Sequence, residues 1–220
     1  MPSRFAFYSS IDNIKEKYNL TVENIEFYPY YNLKPTNRAT GIINEKELRV
    51  IRLRWGFLQG KQVYKARGES IHEKKMFRDP FREQRCLIFA NGFFEWEKED
   101  QKSTPHFFTI KDEKIFLIAG IYNTYKSKED NKKRYSFAVI TVEANDKVAS
   151  IFHRMPGIIP QESLEKWLDP NESEETLLNM LNPYDSDKMD VWKVKTLPSR
   201  GDNGPATIKP LSKSGLSKFL

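Results

Sequence analysis

The chain has 220 residues, 39% of them hydrophobic and 13% aromatic, with a net charge of +6. That supports one sizeable core, and the lack of any run of about 18 apolar residues argues against a membrane-spanning helix. The lone cysteine, Cys86, excludes an internal disulfide and a multi-cysteine metal site. Residues 1–8 lack the basic start, apolar stretch and cleavage site of a secretory signal, so a protein of the bacterial cytoplasm or nucleoid is expected. The basic excess suits a polyanion such as nucleic acid, although it also serves solubility alone.

In chain order, residues 5–8 read as a short aromatic strand and 11–17 as a short helix. Residues 48–57 mix Val, Ile and Leu with three arginines, the pattern of a half-exposed strand. Residues 86–90 are a uniformly apolar run, expected to be a buried strand with an inert thiol. Asn91-Gly92 behind it is a turn signal. Residues 106–110, the polar Lys111-Asp112-Glu113 and residues 114–122 predict a hairpin. Residues 126–134 form a charged, solvated loop ahead of a strand over 134–142. Val148, Ile151 and Phe152 have helical spacing within 144–152. Residues 160–168 begin with a proline suited to a first turn, and Ser173 is the candidate N-cap of a helix over 173–181. Trp167, Leu177, Leu178 and Leu181 are expected in the core. Residues 189–195 predict a last strand. Residues 197–205 are a long polar irregular segment of the kind that often carries function. The fold class is α+β, with a sheet-rich core and peripheral helices. One domain over 1–211 is expected, then a disordered tail over 212–220.

Four clusters stand out: Tyr31-Asn32-Leu33-Lys34-Pro35-Thr36, Lys65-Ala66-Arg67-Gly68-Glu69-Ser70, Asn91-Gly92-Phe93-Phe94-Glu95-Trp96 and Phe152-His153-Arg154-Met155-Pro156. Each sets polar or charged residues beside apolar ones. None is a phosphate-loop or dinucleotide pattern, and His72, His106 and His153 are not at zinc spacing. No metal and no cofactor is expected. In this order the clusters resemble the SRAP family, the SOS response-associated peptidase proteins that recognise abasic sites in single-stranded DNA. Further matches are Arg52-Leu53-Arg54-Trp55-Gly56, residues 77–81 ahead of Arg85-Cys86-Leu87-Ile88, Thr141-Val142-Glu143-Ala144-Asn145, and residues 194–210. The resemblance runs from Arg4-Phe5 to Pro210. It implies a compact α+β domain with curved, mostly antiparallel sheets around a positively charged cleft. It also implies a role in the DNA damage response, with single-stranded DNA carrying an abasic site as partner. A monomer is expected.

Members of that family begin Met-Cys-Gly-Arg-Phe. They lose the methionine and condense the new terminal cysteine with the abasic aldehyde, first as a Schiff base and then as a thiazolidine crosslink. An acidic residue, an asparagine and a histidine assist. Carried onto this chain, Arg4, Arg67, Glu95 and Arg154 match. The cysteine position holds Pro2, the following glycine Ser3, the asparagine Lys65, and the histidine Phe152, with His153 one residue later. Arg4, Arg67 and Arg154 are the candidate phosphate clamps, because a guanidinium matches phosphate bidentately. By resemblance Asn32, Pro35 and Thr36 line the cleft. Trp55 or Trp96 stacks on a base, or else packs in the core.

Two readings follow. Without a thiol at position 2 the thiazolidine cannot form, so the protein binds abasic single strands without the durable crosslink. Alternatively it is an abasic-site lyase. Loss of Met1 frees the Pro2 amine, which attacks the aldehyde, and the resulting iminium favours elimination of the 3′ phosphate. Glu95, between Phe94 and Trp96, would then serve as acid and base, or else would pair with an arginine such as Arg154. Lys65 offers a second amine if burial lowers its pKa, or a phosphate contact. His153 could still approach the site. A peptidase in the literal sense has no recognisable catalytic group here.

Overall fold

The computed structural model describes residues 4–22, 25–59, 61–100, 102–195 and 203–211. Its strands are β1 (Arg4–Phe7), β2 (Tyr30–Leu33), β3 (Arg38–Asn44), β4 (Leu48–Trp55), β5 (Phe57–Gln59), β6 (Lys61–Val63), β7 (Lys65–Arg67), β8 (Arg85–Ala90), β9 (Gly92–Glu99), β10 (Lys102–Ile110), β11 (Phe116–Lys126), β12 (Lys133–Glu143), β13 (Arg154–Pro156), β14 (Ile158–Ile159) and β15 (Met189–Lys193). The helices are α1 (Ile11–Tyr18), α2 (Lys75–Glu83), α3 (Asp146–Ala149), α4 (Leu164–Leu168) and α5 (Glu174–Asn179). The architecture is α+β, with curved, mostly antiparallel sheets and a few helices. No described helix is long and apolar enough to cross a membrane.

Two sheets make the frame. The first has the order β15-β10-β9-β1-β2 and is antiparallel throughout. The second has eight strands and runs β13-β12-β4-β3-β8-β11-β14, with β7 added beside β12. An extra pairing of β11 with β12 joins β12, β4, β3, β8 and β11 into a ring. The first sheet is buried on both faces. Phe5, Phe7, Phe93 and Phe108 join the main core. Ala6, Phe94 and Phe107 form a second, smaller core with Val194, edged by Tyr8, Trp96, Trp192 and Ile208. Strand alternation produces this division, because successive side chains point to opposite faces.

Several elements differ from the sequence reading. Residues 106–110 and 114–122 do not form a hairpin. β10 pairs with β9 and β15, whereas β11 pairs with β8, β12 and β14 in the other sheet. Only an isolated bridge, Ile110 to Glu113, remains between them. Both strands find longer partners elsewhere, and the polar turn, with Asp112 at φ 59°, carries the chain between sheets. Asn91 likewise marks a change of sheet. Its Oδ1 accepts the backbone N–H groups of Tyr8 and Ser9 at 2.6 and 3.2 Å, and its Nδ2 donates to Ser9 Oγ and the Lys114 carbonyl. Gly92 must be glycine, since a Cβ there would lie 2.2 Å from the Phe107 ring. The hairpin that does form joins β11 to β12 around the charged loop, with Lys126 opposite Lys133.

The helix expected over 144–152 shrinks to α3, capped by Asn145 through its bond from Val148 N at 3.0 Å. Helix α2 was not read from the sequence, because Pro80 signals a break; the chain keeps helical form around it. Ser173 caps α5 as expected, accepting from Thr176 N at 3.1 Å. Trp167, Leu177 and Leu181 are buried and Leu178 is partly so. Cys86 is fully buried. Strand β15 ends at Lys193, two residues before the reading. Most of the polar segment over 197–205, and the tail over 212–220, lie outside the described residues. The described stretch 203–211 is packed: Trp192 Nε1 donates to the Ile208 carbonyl at 2.8 Å, and Leu211 N to the Lys193 carbonyl at 2.9 Å.

Candidate functional site

Glu95 lies on β9 and is 1% exposed. It shares the face of Phe93, so it points toward the second sheet. There Lys65, half-buried on β7, lies close enough for the two charges to act on each other. Burial pushes the Glu95 carboxyl up to about 7. The same desolvation lowers Lys65, against the pull of Glu95. Burial disfavours each charged form, so near neutrality this pair can hold both a protonated and an ionised carboxyl, and an amine that loses its proton more readily than usual. That is the equipment for moving a proton at a carbonyl.

Around this pair the other candidates separate. Arg67 shares the Lys65 face of β7, alternating with buried Ala66, and is exposed. Arg154, on β13, is spent on protein. Nη1 and Nη2 donate to Glu69 Oε1 and Oε2 at 2.8 Å each, and Nη2 also donates to the Thr141 carbonyl at 2.6 Å. The ion pair anticipated between Glu95 and Arg154 is therefore replaced by one between Glu69 and Arg154, because β13 runs along β12 beside the turn that follows β7. Trp55 is a core residue, 1% exposed, stacked at 6.0 Å on Phe137 and donating Nε1 to the Tyr64 carbonyl at 2.8 Å. It presents no open face to a base. Trp96 is half-buried at the edge of the smaller core, 6.4 Å from Phe94.

Arg4 and Asn32 are brought together, Nη1 donating to Oδ1 at 2.7 Å. Alternation puts Arg4 with Ala6 and Phe94, on the face of the first sheet opposite Glu95. A bulge between Phe5 and Phe7 shifts the register against β2, and bulges commonly re-aim side chains. Asn203 Oδ1 fills the break, accepting from Tyr31 N and Asn32 N at 2.8 and 3.3 Å. Pro35 and Thr36 form the turn after β2. Thr36 is exposed, with φ 79°, and its N–H donates to the Trp55 carbonyl at 2.8 Å. His153 is exposed, its ring 4.3 Å from that of Phe152. Pro2 lies outside the described residues. Among the described residues, no three His, Cys, Asp or Glu side chains group so as to hold a metal.

The model of the SOS response associated peptidase (SRAP) family matches residues 1–198. The chain belongs to the SRAP family. It is 33% identical to the abasic site processing protein YoqW of Bacillus subtilis (strain 168), an alignment covering 95% of this chain and 99% of that one. Identity to YobE, an abasic site processing protein of the same organism, is 32%, covering 90% and 95%. A crystal structure of a protein from Bacteroides thetaiotaomicron superposes with a TM-score of 0.82 at 26% identity, covering 95% of this chain and 99% of that one.

One buried ionisable neighbour of Glu95 was not singled out in the sequence. His106 stands directly across from Glu95 in the β9–β10 register and is 5% exposed. Its Nδ1 lies 3.2 Å from the Thr104 carbonyl and its Nε2 3.5 Å from Glu97 Oε2, which Lys193 also reaches at 3.1 Å. Burial lowers its pKa. The available signal was the parity of β9 and β10, visible only once their register was known.

Proposed function

We propose that this SRAP protein engages abasic sites in single-stranded DNA, within a DNA-damage or SOS response, and does so without the thiazolidine crosslink. The observation that carries the reading is the buried Glu95 carboxyl, poised near neutrality beside the Lys65 amine. Such a pair suits an aldehyde, the group that distinguishes an abasic sugar from an intact nucleotide. Single strands are the easier substrate, since no partner base must be unpaired. The absence of a crosslink rests on the thiol inventory. Cys86 is the only cysteine, and it is buried in β8 with its thiol pushed up by desolvation. The names of YoqW and YobE, both abasic site processing proteins, point to the same lesion.

The poised carboxyl also favours a second reading, an abasic-site lyase working through a Schiff base with Glu95 as acid and base. Pro2 is one candidate amine. An α-amino group titrates near ~8, so a useful fraction is nucleophilic at neutral pH.

The test uses a single-stranded oligonucleotide with one abasic site and its intact counterpart. Preference for the abasic strand in a native gel, with no adduct surviving denaturation in the absence of borohydride, is the expected result. A heat-stable adduct without reductant would defeat the crosslink-free reading. Equal binding of the two strands would defeat recognition of the lesion.

A further inference from the structure

We propose that the outer face of β3 and β4 is a second single-strand surface, which takes the DNA beyond the lesion. Arg38 and Arg54 hold its phosphates, and Tyr28 stacks on one of its bases. The inference rests on the reading that this protein engages single-stranded DNA.

Arg38 stands directly across from Arg54 in the β3–β4 register, and Arg52 across from Thr40. Alternation sends Ala39, Leu53 and Trp55 into the core, so the three arginines project from the opposite face. Directly opposed residues hold their Cβ atoms about 5 Å apart, and like charges placed so are destabilising. Arg38 is exposed and Arg54 half-buried, and among the described residues neither has a carboxylate partner. Nearby arginines are treated differently. Arg49 on the same strand pairs with Glu45 at 3.2 Å, and Arg134 on the adjoining β12 pairs with Asp130 at 2.6 Å. A basic excess kept for solubility does not need two guanidinium groups face to face. An anion bound between them removes the repulsion and is matched by both forks.

Arg52 joins this face to the chain ahead of β2. Its Nη1 donates to the Glu26 carbonyl at 2.8 Å and its Nη2 to the Arg38 carbonyl at 2.9 Å. Both acceptors are neutral, so they leave its charge in place. Its guanidinium stands 5.9 Å from the centre of the Tyr30 ring. These contacts hold residues 26–30 beside the arginines. That segment carries Tyr28, which is 51% exposed and the only large hydrophobic side chain so exposed among the described residues. Its hydroxyl donates to Glu26 Oε1 at 2.7 Å, which steadies the ring in solvent. The Glu26 carboxylate repels phosphate on the tyrosine side, so the backbone follows Arg38 and Arg54. Cations that track a backbone beside an open ring that accepts a base are the two parts of a single-strand surface. A duplex keeps its bases stacked inside and offers none to Tyr28.

This surface is separate from the site around Glu95. Arg54 is level with Ser136 on β12 and Lys65 with Val139. An odd separation along a strand turns side chains to opposite faces. The face borders β2, which also carries Asn32 and through it Arg4, so a strand leaving the lesion reaches it round that edge.

The test measures binding of a short single strand with one abasic site, and of the same strand extended on its 5′ or its 3′ side, across a salt series. One extension should tighten binding about 10-fold. Arg38→Gln combined with Arg54→Gln should abolish that gain and leave the short strand bound as before. The salt slope of log K on the extended strand should fall by about 1.4, the value for two phosphates of a single strand. Tyr28→Ala should weaken the extended strand alone. Iodouracil in the extension should photocrosslink to Tyr28 of the unmodified protein, as mapped by peptide mass spectrometry. Thermal melts should find the double variant no less stable, since it removes a repulsion. A gain that survives the double variant, an equal loss on the short strand, or no gain from either extension overturns the proposal. Tighter binding of extended strands with no preference for the abasic one defeats the lesion reading and leaves this surface standing.

Discussion

Arg154 grips Glu69 with both arms of its guanidinium, Nη1 to Oε1 and Nη2 to Oε2, each at 2.8 Å. This bidentate pair ties β13 to the turn that follows β7, and so braces the strand that carries Lys65 and Arg67. Arg154 is 6% exposed and its Nε has no hydrogen-bond partner among the described residues, so the carboxylate is its main compensation. Glu69→Gln should destabilise the fold by on the order of 2 kcal/mol, below the usual range for a fully buried pair because Glu69 is half exposed. Urea unfolding at neutral pH measures this. The Glu69 carboxyl is raised by partial burial but lowered further by the Arg154 hydrogen bonds, with a net depression. Its contribution is therefore present above the ordinary carboxylate pKa of ~4.3 and is lost as pH falls through the lower folded value. An unchanged midpoint in Glu69→Gln would show that the pair braces nothing.

Glu95 gives the opposite pH dependence. Its folded pKa of about 7 lies above the unfolded value. Below ~pH 4.3 both states hold the proton and there is no penalty. Between there and pH 7 the unfolded chain releases the proton first, so stability falls as pH rises, and it levels off above 7. The shift corresponds to roughly 3 kcal/mol. Glu95→Gln should therefore be the more stable protein at pH 8 and should flatten the decline between pH 5 and 7. Denaturant midpoints across that range check it. A variant that tracks the parent at every pH would place Glu95 in contact with water.

The fold class and most strands were legible because alternating and uniformly apolar runs, such as residues 86–90, report burial directly. Pairing was not legible. The segments beginning at His106 and Lys114 looked like one hairpin, yet they belong to different sheets, since local turn chemistry cannot weigh distant partners. The site was half legible. Motif resemblance picked out Glu95 and Lys65, which the fold brings together from separate sheets. It could not show that Trp55 faces the core or that Arg154 is consumed by Glu69, because both depend on long-range packing. His106 was invisible for the same reason.

Arg85 is a stability element that its sequence context conceals. Its Nε donates to the Trp167 carbonyl and Nη1 to the Phe81 carbonyl, both at 2.7 Å, with further bonds to the carbonyls of Arg82 and Asp169. One guanidinium thus satisfies the carboxyl-terminal ends of α2 and α4, which otherwise leave unpaired carbonyls. Desolvation lowers its pKa to about 10, so it stays charged at physiological pH. Arg85→Met keeps the side-chain length but leaves several carbonyls without donors. A loss of about 3 kcal/mol is expected, read as a lower urea midpoint. Hydrogen exchange should localise the loosening to the ends of α2 and α4. Uniform exchange across the molecule would argue against Arg85 acting as a local fastener.

Arg67 and Trp55 separate binding from folding. Both were candidates for DNA contact in the sequence, but their surroundings differ. Arg67 is exposed, the last residue of β7, and its charge helps hold the Glu69 carboxyl down. A phosphate reaching it displaces counterions. Arg67→Ala should therefore weaken single-strand binding about equally for all sequences and reduce the salt slope of log K by about 1, with little change in melting temperature. Trp55 is packed between Phe5, at 5.1 Å, and Phe137. Trp55→Ala should cost about 3–5 kcal/mol of stability through the cavity it leaves. The folded fraction of that variant should bind DNA with the parent's salt slope. Salt titrations of both variants, normalised to folded protein, distinguish the two roles. A reduced slope in Trp55→Ala, or an unchanged one in Arg67→Ala, would reverse the assignment.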